Sequence, residues 1–337
     1  MASHATRGGP PVLVRAPARL HLGVLDLHGG LGRDFGSIGL ALESPYTEVR
    51  LQRSEQPECH GPESERVRRI CRAAAEHLGI GSAAAVTTRA AIPAHAGLGS
   101  GTQLALAVGA GLARLAGQPF TRDAARALDR GNRSGVGIAA FFDGGLIVDG
   151  GRRSGHGLPP VVARLDFPAE WRVLLVLDPE MAGVHGEAER AAFARLPPFP
   201  EQDAGRICRT VLMQVLPALA EQDLPAFGDG IAEIQRRLGD HFAPAQGGRY
   251  TSPRVARAVA ALETLGVTGT GQSSWGPTGF AFASSDAEAA DTVRWLRRPG
   301  GPAEGLRVLA VRGRNGPAEI RLLTSGEGAA QSALLDA

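Results

Sequence analysis

The feature that most constrains the fold is a glycine-rich segment at residues 93–103, between a short strand-like stretch and a long run of small residues. Residues 84–89 are typical of a strand, and residues 102–115 are apolar enough for a buried helix. Glycine lets the backbone approach an anion closely, and a helix N-terminus presents unpaired N–H groups. This order predicts a phosphate-binding loop, although a tight turn packed on small residues would give the same pattern. The expected phosphate contacts are Gly97, Leu98, Gly99, Ser100, Gly101, Thr102 and Gln103.

The chain contains no lysine, so all 36 of its Lys and Arg residues are arginines. This excludes a lysine Schiff base, a lysine general base and a phosphate-binding lysine of the Walker type. An anion must therefore be held by arginine, histidine, backbone N–H groups or a metal ion. Arginine suits this task because its planar guanidinium grips carboxylates and phosphates with two hydrogen bonds.

Length and composition describe a globular chain of two domains or one large one. Of the 337 residues, 43% are hydrophobic and 21% are charged. The net charge of +2 does not indicate a surface that binds nucleic acid. No apolar stretch is long enough to suggest a membrane span. Cys59, Cys71 and Cys208 are too widely spaced for a disulfide framework or a zinc site, which fits a cytoplasmic protein.

The predicted elements divide the chain into three parts. Residues 1–11 are polar and rich in glycine and proline, which indicates a disordered tail. Residues 12–160 form the domain with the glycine loop, and the Gly- and Pro-rich stretch 152–160 is the best candidate linker. The pattern of residues 161–337 predicts helices at 204–221, 224–238 and 287–296, with strands at 172–178, 280–283, 307–311 and 319–323. The second part therefore predicts an α+β layer.

Residues at four further places in the chain are candidates for the site. Arg19 and His21 lie two residues apart on a predicted strand, so their side chains share one face. Asp26 could hold a metal ion or a ribose hydroxyl, or could serve turn chemistry before the glycines that follow. Arg130 and Arg133 could neutralise anions, or could be surface residues at a helix end. A rare C-terminal cluster supplies neutral donors and a tryptophan that could stack on an aromatic ring or pack between domains; it comprises Gly271, Gln272, Ser273, Ser274 and Trp275.

The glycine motif resembles that of the GHMP kinase superfamily, which has the form P-x-x-x-G-L-G-S-S-A. In this chain Gly101-Thr102-Gln103 follows Ser100, and the form H-x-G-L-G-S-G-T-Q is similar to the β-ribofuranosylaminobenzene 5′-phosphate synthases. In the kinases a catalytic aspartate ends a pattern S-G-x-D, and Gly137 stands at that place here. Glycine cannot deprotonate a hydroxyl, which argues against phosphorylation by ATP.

The resemblance implies a fold and a reaction. The fold would be α+β with two domains, an N-terminal ribosomal-protein-like α/β domain and a C-terminal ferredoxin-like α+β domain. The reaction would join phosphoribosyl pyrophosphate to 4-aminobenzoate or 4-hydroxybenzoate, with release of pyrophosphate and CO2, in methanopterin biosynthesis. Mg²⁺ is expected to assist the departure of pyrophosphate, and neither pyridoxal phosphate nor nicotinamide is expected. The family also suggests a homodimer.

The resemblance also implies roles for individual residues. Arg19, Arg130 and Arg133 would neutralise anions, and Ser134 would lie beside them. The glycine loop and the pair Ser273 and Ser274 would hold phosphates. His21, Asp26 or His95 would act at the aromatic ring, and no metal ligands are identified. The main alternative is an ATP-dependent GHMP-type small-molecule kinase, and a third possibility is a binding or regulatory relative that kept the fold.

Overall fold

The computed structural model describes residues 9–81, 83–128, 131, 134–153, 156–183 and 195–324. The predicted tail therefore lies mostly outside the described residues, as do Arg130 and Arg133. Two sheets with helices packed on them make up the described part, so the predicted α+β class is confirmed.

The first sheet carries the N-terminal half of the chain. Its order is β11–β1–β2–β4–β3, with β5 paired to β2 and β6 paired to β5, and only the short β3–β4 pair is parallel. Helices α1 to α4 accompany this sheet. The strands are β1 (Val12–Asp26), β2 (Phe35–Arg53), β3 (Glu58–His60), β4 (Ala84–Ala90), β5 (Leu146–Asp149), β6 (Val161–Leu165) and β11 (Glu319–Leu322); the helices are α1 (Ser64–Leu78), α2 (Ser100–Ala116), α3 (Arg122–Ala127) and α4 (Val136–Phe142).

Helix α2 packs against β1, β2 and α1, and all of residues 103–113 are buried. Small residues make this close packing possible. A Cβ at Gly111 would overlap the side chain of Leu51 on β2, and one at Gly109 would crowd Phe120 and Leu128. The run of small residues therefore has a packing function.

The second sheet is antiparallel, in the order β10–β7–β9–β8. Its strands are β7 (Arg172–Leu177), β8 (Gly271–Gln272), β9 (Thr278–Ala283) and β10 (Arg307–Val311). The helices are α5 (Glu201–Thr210), α6 (Leu216–Glu221), α7 (Leu224–Gln246), α8 (Pro253–Thr264) and α9 (Asp286–Arg297), with a π-helical turn (Val211–Val215) between α5 and α6.

Helix α8 begins with a serine cap. Ser252 accepts a hydrogen bond from the Val255 N–H at 3.1 Å, and Pro253 occupies the first turn of α8. Helix α7 is longer than predicted, because Gly239 does not end it. Gly239 lies where a Cβ would overlap the side chain of Arg249, so a glycine here allows the chain to pack back on the helix.

Sheet membership does not follow the predicted division at residue 160. Strand β6 pairs with β5, and β11 pairs with β1 in the register Val12↔Leu322 to Arg15↔Glu319. Both segments were predicted to belong to the C-terminal part. The prediction could not identify their partners, because strand periodicity does not specify which strands pair. The end of the described chain thus returns to the first sheet.

One apolar core joins the two sheets. Leu20 and Leu22 of β1 belong to the same buried cluster as Phe227 and Ile231 of α7 and Phe282 of β9. Each such side chain stabilises the fold by about 1.5–3 kcal/mol when fully buried. The seam between the halves is therefore a packed interface, and a site formed across it has a defined geometry.

Candidate active site

The glycine loop connects β4 to α2, as the sequence predicts. Gly97 and Gly99 have φ of 81° and 78°, a region that favours glycine. The N–H groups of Thr102 and Gln103 donate to the Gly99 carbonyl, which begins the helix. The N–H groups at the first positions of α2 precede the first intrahelical bond, so this end can bind an anion.

Two loop residues have packing roles instead. Leu98 is 1% exposed and belongs to the core. The Gln103 side chain is fully buried and donates to the Gly137 carbonyl at 2.8 Å, which joins α2 to α4. Neither residue is among those that line the cavity described below, and the phosphate contacts predicted for Leu98 and Gln103 stay predictions. They are buried because they lie on the core-facing side of the loop and helix.

The C-terminal cluster packs backbone to backbone against the glycine loop. A Cβ at Gly276 would overlap the backbone nitrogen of Gly97, and a Cβ at Gly97 would overlap the carbonyl oxygen of Ser273. The Ser273 hydroxyl donates to the Gly97 carbonyl at 2.8 Å and accepts from the His21 N–H at 2.9 Å. Ser273 therefore joins β1 to the loop through its hydroxyl, and its predicted phosphate contact stays a prediction.

Arg19 and His21 lie side by side on β1, as their spacing predicts. The Arg19 Nη1 lies 3.4 Å from both the Gly97 carbonyl and the Ser274 hydroxyl, and its Nε has no partner among the described residues. Burial lowers the pKa of Arg19 to about 10, so the guanidinium stays charged at neutral pH. Burial, and then the Arg19 charge, lower the pKa of His21 to about 3, so this imidazole is neutral.

These two side chains open into a cavity of about 210 Å³ at the seam between the halves. Arg19 and Arg249 line it, although Arg249 is also paired with Asp240 at 2.7 Å, and no Asp or Glu occurs among the described residues that line it. Phe242 and Trp275 contribute aromatic surface, with their ring centroids 5.2 Å apart. The lining residues are Arg19, His21, Gly23, Val24, Phe35, Ser37, Ser134, Gln235, Leu238, Gly239, Phe242, Gln246, Arg249, Gln272, Ser274 and Trp275. The cavity is thus cationic and partly aromatic.

Three glutamines fix one wall of the cavity. Gln235 of α7 accepts from the Gln272 N–H at 2.8 Å and donates to the Leu22 carbonyl at 2.8 Å. The Gln272 side chain accepts from the Thr251 N–H, and its amide nitrogen lies 3.4 Å from the Gln246 Oε1. Sequence analysis missed Gln235, although a polar residue on the buried face of an amphipathic helix is a usable signal.

Gly271 and Trp275 act mainly by packing. A Cβ at Gly271 would overlap the side chain of Gln235, so this glycine allows β8 to approach α7. Trp275 is 5% exposed and packs edge-on against Phe242, which supports the packing interpretation. Its position in the cavity lining also leaves it able to contact an aromatic substrate.

A buried carboxylate, Asp149, was missed by sequence analysis. It ends β5, is 0% exposed, and accepts hydrogen bonds from the Ser134 hydroxyl and from the N–H groups of Gly135 and Gly151. Burial raises the pKa of this carboxyl, and the hydrogen bonds from these groups and from the Ser37 N–H oppose that rise. An aspartate before two glycines reads as a turn residue, so only the tertiary contacts distinguish it.

His95 and Asp26, both predicted to be catalytic, lie outside the cavity lining. His95 is exposed with φ of 58°, and its carbonyl accepts from the Gly183 N–H. Asp26 accepts hydrogen bonds from the N–H groups of His28 and Gly29, at 2.6 and 3.0 Å, and this pattern is typical of a turn. Both residues are close in sequence to residues that line the cavity or form the glycine loop, but neither lines the cavity itself.

Gly137, at the place of the kinase aspartate, lies at the start of α4 against α2. A Cβ here would be 3.2 Å from the Thr102 Cγ2. The described residues around the cavity thus offer no carboxylate that could act as a base on a substrate hydroxyl. Arg130 and Arg133 lie outside the described residues, and their proposed anion contacts stay predictions.

The donor set does not form a metal site of its own. Within the part of the chain that the structure describes, no group of three His, Cys, Asp or Glu side chains is placed to hold a metal ion. The cavity lining supplies arginines, amides and hydroxyls, whereas Mg²⁺ prefers carboxylate oxygens. Among the described helices, none is both long and apolar enough to cross a bilayer.

Comparison with solved structures defines the fold. A homoserine kinase from Cytophaga hutchinsonii matches with a TM-score of 0.68 at 17% identity, covering 95% of this chain and all of that one. The family model of the GHMP kinase N-terminal domain matches residues 65–145, and that of the GHMP kinase C-terminal domain matches residues 215–300. The two-domain GHMP-kinase-like fold predicted from the sequence is therefore confirmed.

Curated relatives match the chain over most of its length. A β-ribofuranosylphenol 5′-phosphate synthase from Methanothermobacter thermautotrophicus is 33% identical over 328 residues, covering 90% of this chain and 97% of that protein. A protein of the same name from Archaeoglobus fulgidus is 38% identical over 289 residues, covering 81% of this chain and 88% of the relative. The chain therefore belongs to the β-ribofuranosylphenol 5′-phosphate synthase family, whose members are enzymes of the pentosyl-transfer type.

Proposed function

We propose that the protein joins phosphoribosyl pyrophosphate to 4-hydroxybenzoate or 4-aminobenzoate, with release of pyrophosphate and CO2, as a step of methanopterin biosynthesis. The observation that carries the proposal is the cavity at the seam. It combines two arginines with aromatic surface and has no acidic side chain among its described lining residues. Both substrates are anions and one is aromatic, so each finds complementary surface in the same space.

Arg19 is the residue best placed to neutralise the departing pyrophosphate. Its guanidinium lies against the glycine loop, and the N-terminus of α2 starts from the same loop. As the bond to pyrophosphate breaks, negative charge grows on the leaving group and positive charge grows on the sugar. A cation and N–H donors aimed at the leaving oxygen lower that barrier. Ser274, whose hydroxyl already contacts Arg19, can add a neutral donor.

The aromatic acid fits the opposite wall, where Leu238, Phe242 and Trp275 line the cavity. Its ring carbon that bears the carboxylate attacks the anomeric carbon, and loss of CO2 restores aromaticity. A neutral His21 next to this wall adds no charge that would hold the carboxylate back. This reaction requires neither a pyridoxal cofactor nor a nicotinamide.

Mg²⁺ is proposed as part of the substrate. Since the described side chains do not form a site for it, the ion would enter as the counter-ion of the pyrophosphate group. We also propose that the enzyme works in the cytoplasm as a homodimer. Cys59, Cys71 and Cys208 are free thiols, which suits a reducing compartment. Light scattering of the purified protein tests the dimer.

Labelled CO2 provides the decisive experiment. The purified protein is incubated with phosphoribosyl pyrophosphate, Mg²⁺ and carboxyl-labelled 4-hydroxybenzoate or 4-aminobenzoate. We expect labelled CO2 and pyrophosphate in equal amounts, both dependent on phosphoribosyl pyrophosphate. ATP with candidate alcohols should give no ADP, because Gly137 replaces the base that a kinase needs. ADP release without CO2 would favour the kinase, and substrate binding without turnover would favour a regulatory relative.

A further inference from the structure

The hydroxyl of Ser134 makes two hydrogen bonds within the described part of the protein. Its proton is donated to the Asp149 Oδ2 at 3.1 Å, and one lone pair accepts the Val136 N–H at 3.2 Å. A serine hydroxyl has one proton and two lone pairs, so one acceptor site is left. Ser134 lines the cavity, and Asp149 lies behind it with no exposure of its own.

The other polar side chains of the cavity differ in what they can accept. Arg19 and Arg249 are donors only, and the amide oxygens of Gln235, Gln246 and Gln272 each accept a hydrogen bond from the protein. Three more lining residues can also accept a hydrogen bond: His21, Ser37 and Ser274. Ser134 differs from them because its proton is donated to a buried carboxylate, which leaves its oxygen to act as an acceptor toward a proton-bearing part of the substrate.

Apolar residues line the same cavity as Ser134. Ser37 pairs with Asp149 across β2 and β5, and with Val24 across β1 and β2. Val24 and Phe35 line the cavity beside these hydroxyl-bearing residues. An apolar surface that ends in an acceptor fits a ring with a proton-bearing substituent.

We propose that Ser134 accepts a hydrogen bond from the 4-hydroxyl or 4-amino group of the aromatic acid, and that Asp149 is a positioning residue that holds Ser134 in this role. The inference rests on the proposed function. When the ring attacks, its electron pair forms the bond to the anomeric carbon, and the carbon–oxygen bond to pyrophosphate breaks with its pair on pyrophosphate. Positive charge then spreads to the 4-substituent. The ring–carboxylate bond breaks next, its pair returns to the ring, and CO2 leaves.

The hydrogen bond strengthens while the 4-substituent is positive, and no proton needs to leave the substrate. Asp149 assists because a carboxylate that accepts the Ser134 proton makes the serine oxygen a better acceptor. The proposed hydrogen bond also orients the aromatic acid in the cavity. The carboxylate end of its ring faces the sugar, and its 4-substituent faces Ser134.

The test compares three acids in the wild type, Ser134→Ala, Ser134→Thr and the surface control Ser284→Ala. The acids are 4-hydroxybenzoate, 4-aminobenzoate and 4-methoxybenzoate, which lacks the proton. We expect Ser134→Ala to lower kcat/KM for the first two by roughly 10- to 100-fold, the range for a charge-assisted hydrogen bond, and to leave the methoxy acid unchanged or faster. Ser134→Thr keeps the hydroxyl and should keep the preference, as should Ser284→Ala.

Asp149→Asn should reduce the same preference, and combining it with Ser134→Ala should reduce it no further, because both act through one hydroxyl. If Ser134→Ala leaves the preference intact, the proposal is wrong. If Ser134→Ala instead weakens the binding of phosphoribosyl pyrophosphate equally with every acid, the hydroxyl binds ribose. That outcome also overturns the proposal. Calorimetric binding of the three acids gives the same comparison without turnover, so a wild type that releases no CO2 refutes the proposed function separately.

Discussion

His21 should make the fold sensitive to mild acid. Its side chain is 8% exposed, and burial beside Arg19 lowers its pKa from 6.5 to about 3. In the unfolded chain the imidazole regains its ordinary affinity for protons. Between these two pKa values the unfolded state binds the extra proton and the folded state does not. The stability that depends on the neutral form is therefore lost as the pH falls below 6.5.

The magnitude follows from the width of that window. Each pH unit inside it costs about 1.4 kcal/mol, so lowering the pH from 6.5 to about 5 removes about 2 kcal/mol through this one side chain. That is a large part of a typical folding free energy of about 5–15 kcal/mol. Other groups titrate in the same range, so the His21 contribution must be isolated by comparison with a variant.

Urea unfolding of the wild type and His21→Gln, each at pH 7 and about pH 5, supplies that comparison. Glutamine cannot take up a proton, so the variant should lose about 2 kcal/mol less than the wild type on acidification. His77→Gln, which removes one exposed histidine, is the matched control. Equal losses in the wild type and His21→Gln would refute the claim that the buried imidazole is neutral.

Three further outcomes are expected. Arg19→Gln should lower kcat for CO2 release by roughly 10²- to 10³-fold with the far-ultraviolet circular dichroism unchanged, and a smaller loss would remove Arg19 from the leaving-group site. Gly276→Ala should reduce stability by about 1–3 kcal/mol in a thermal melt, because its Cβ overlaps backbone, whereas Gly205→Ala in open space should not. Ser273→Ala should cost about 1–3 kcal/mol in urea unfolding, since it removes the acceptor of the His21 N–H and one of the donors to the Gly97 carbonyl, and an unchanged midpoint would contradict this.

Much of the site could be predicted from local patterns. The glycine loop before α2 follows from backbone requirements that any chain with these glycines must meet. Arg19 and His21 share a face because strand periodicity is 2, and both line the cavity. The residue at position 137 already argued against a kinase, because glycine has no proton-accepting side chain.

Contacts between distant segments could not be predicted in this way. Asp149 was indistinguishable from a turn aspartate until its carboxylate was seen to hold Ser134, and Asp26 was a turn aspartate that resembled a site residue. Ser273 looked like a phosphate ligand, yet it bonds segments more than 170 residues away along the chain. Their roles depend on which donors and acceptors the fold brings within about 3 Å, and sequence spacing carries no such information.

Residue types at short spacing were enough to predict the strand–loop–helix unit, the absence of lysine chemistry and the family. Which side chains meet at the seam depends on long-range folding instead. Residues from β1, α7 and the turn after β8 form one cavity there, although more than 200 positions of the chain separate the β1 residues from the others. Burial at that seam, and not residue type, makes His21 neutral, keeps Arg19 in contact with the glycine loop and leaves the Ser134 oxygen as an acceptor.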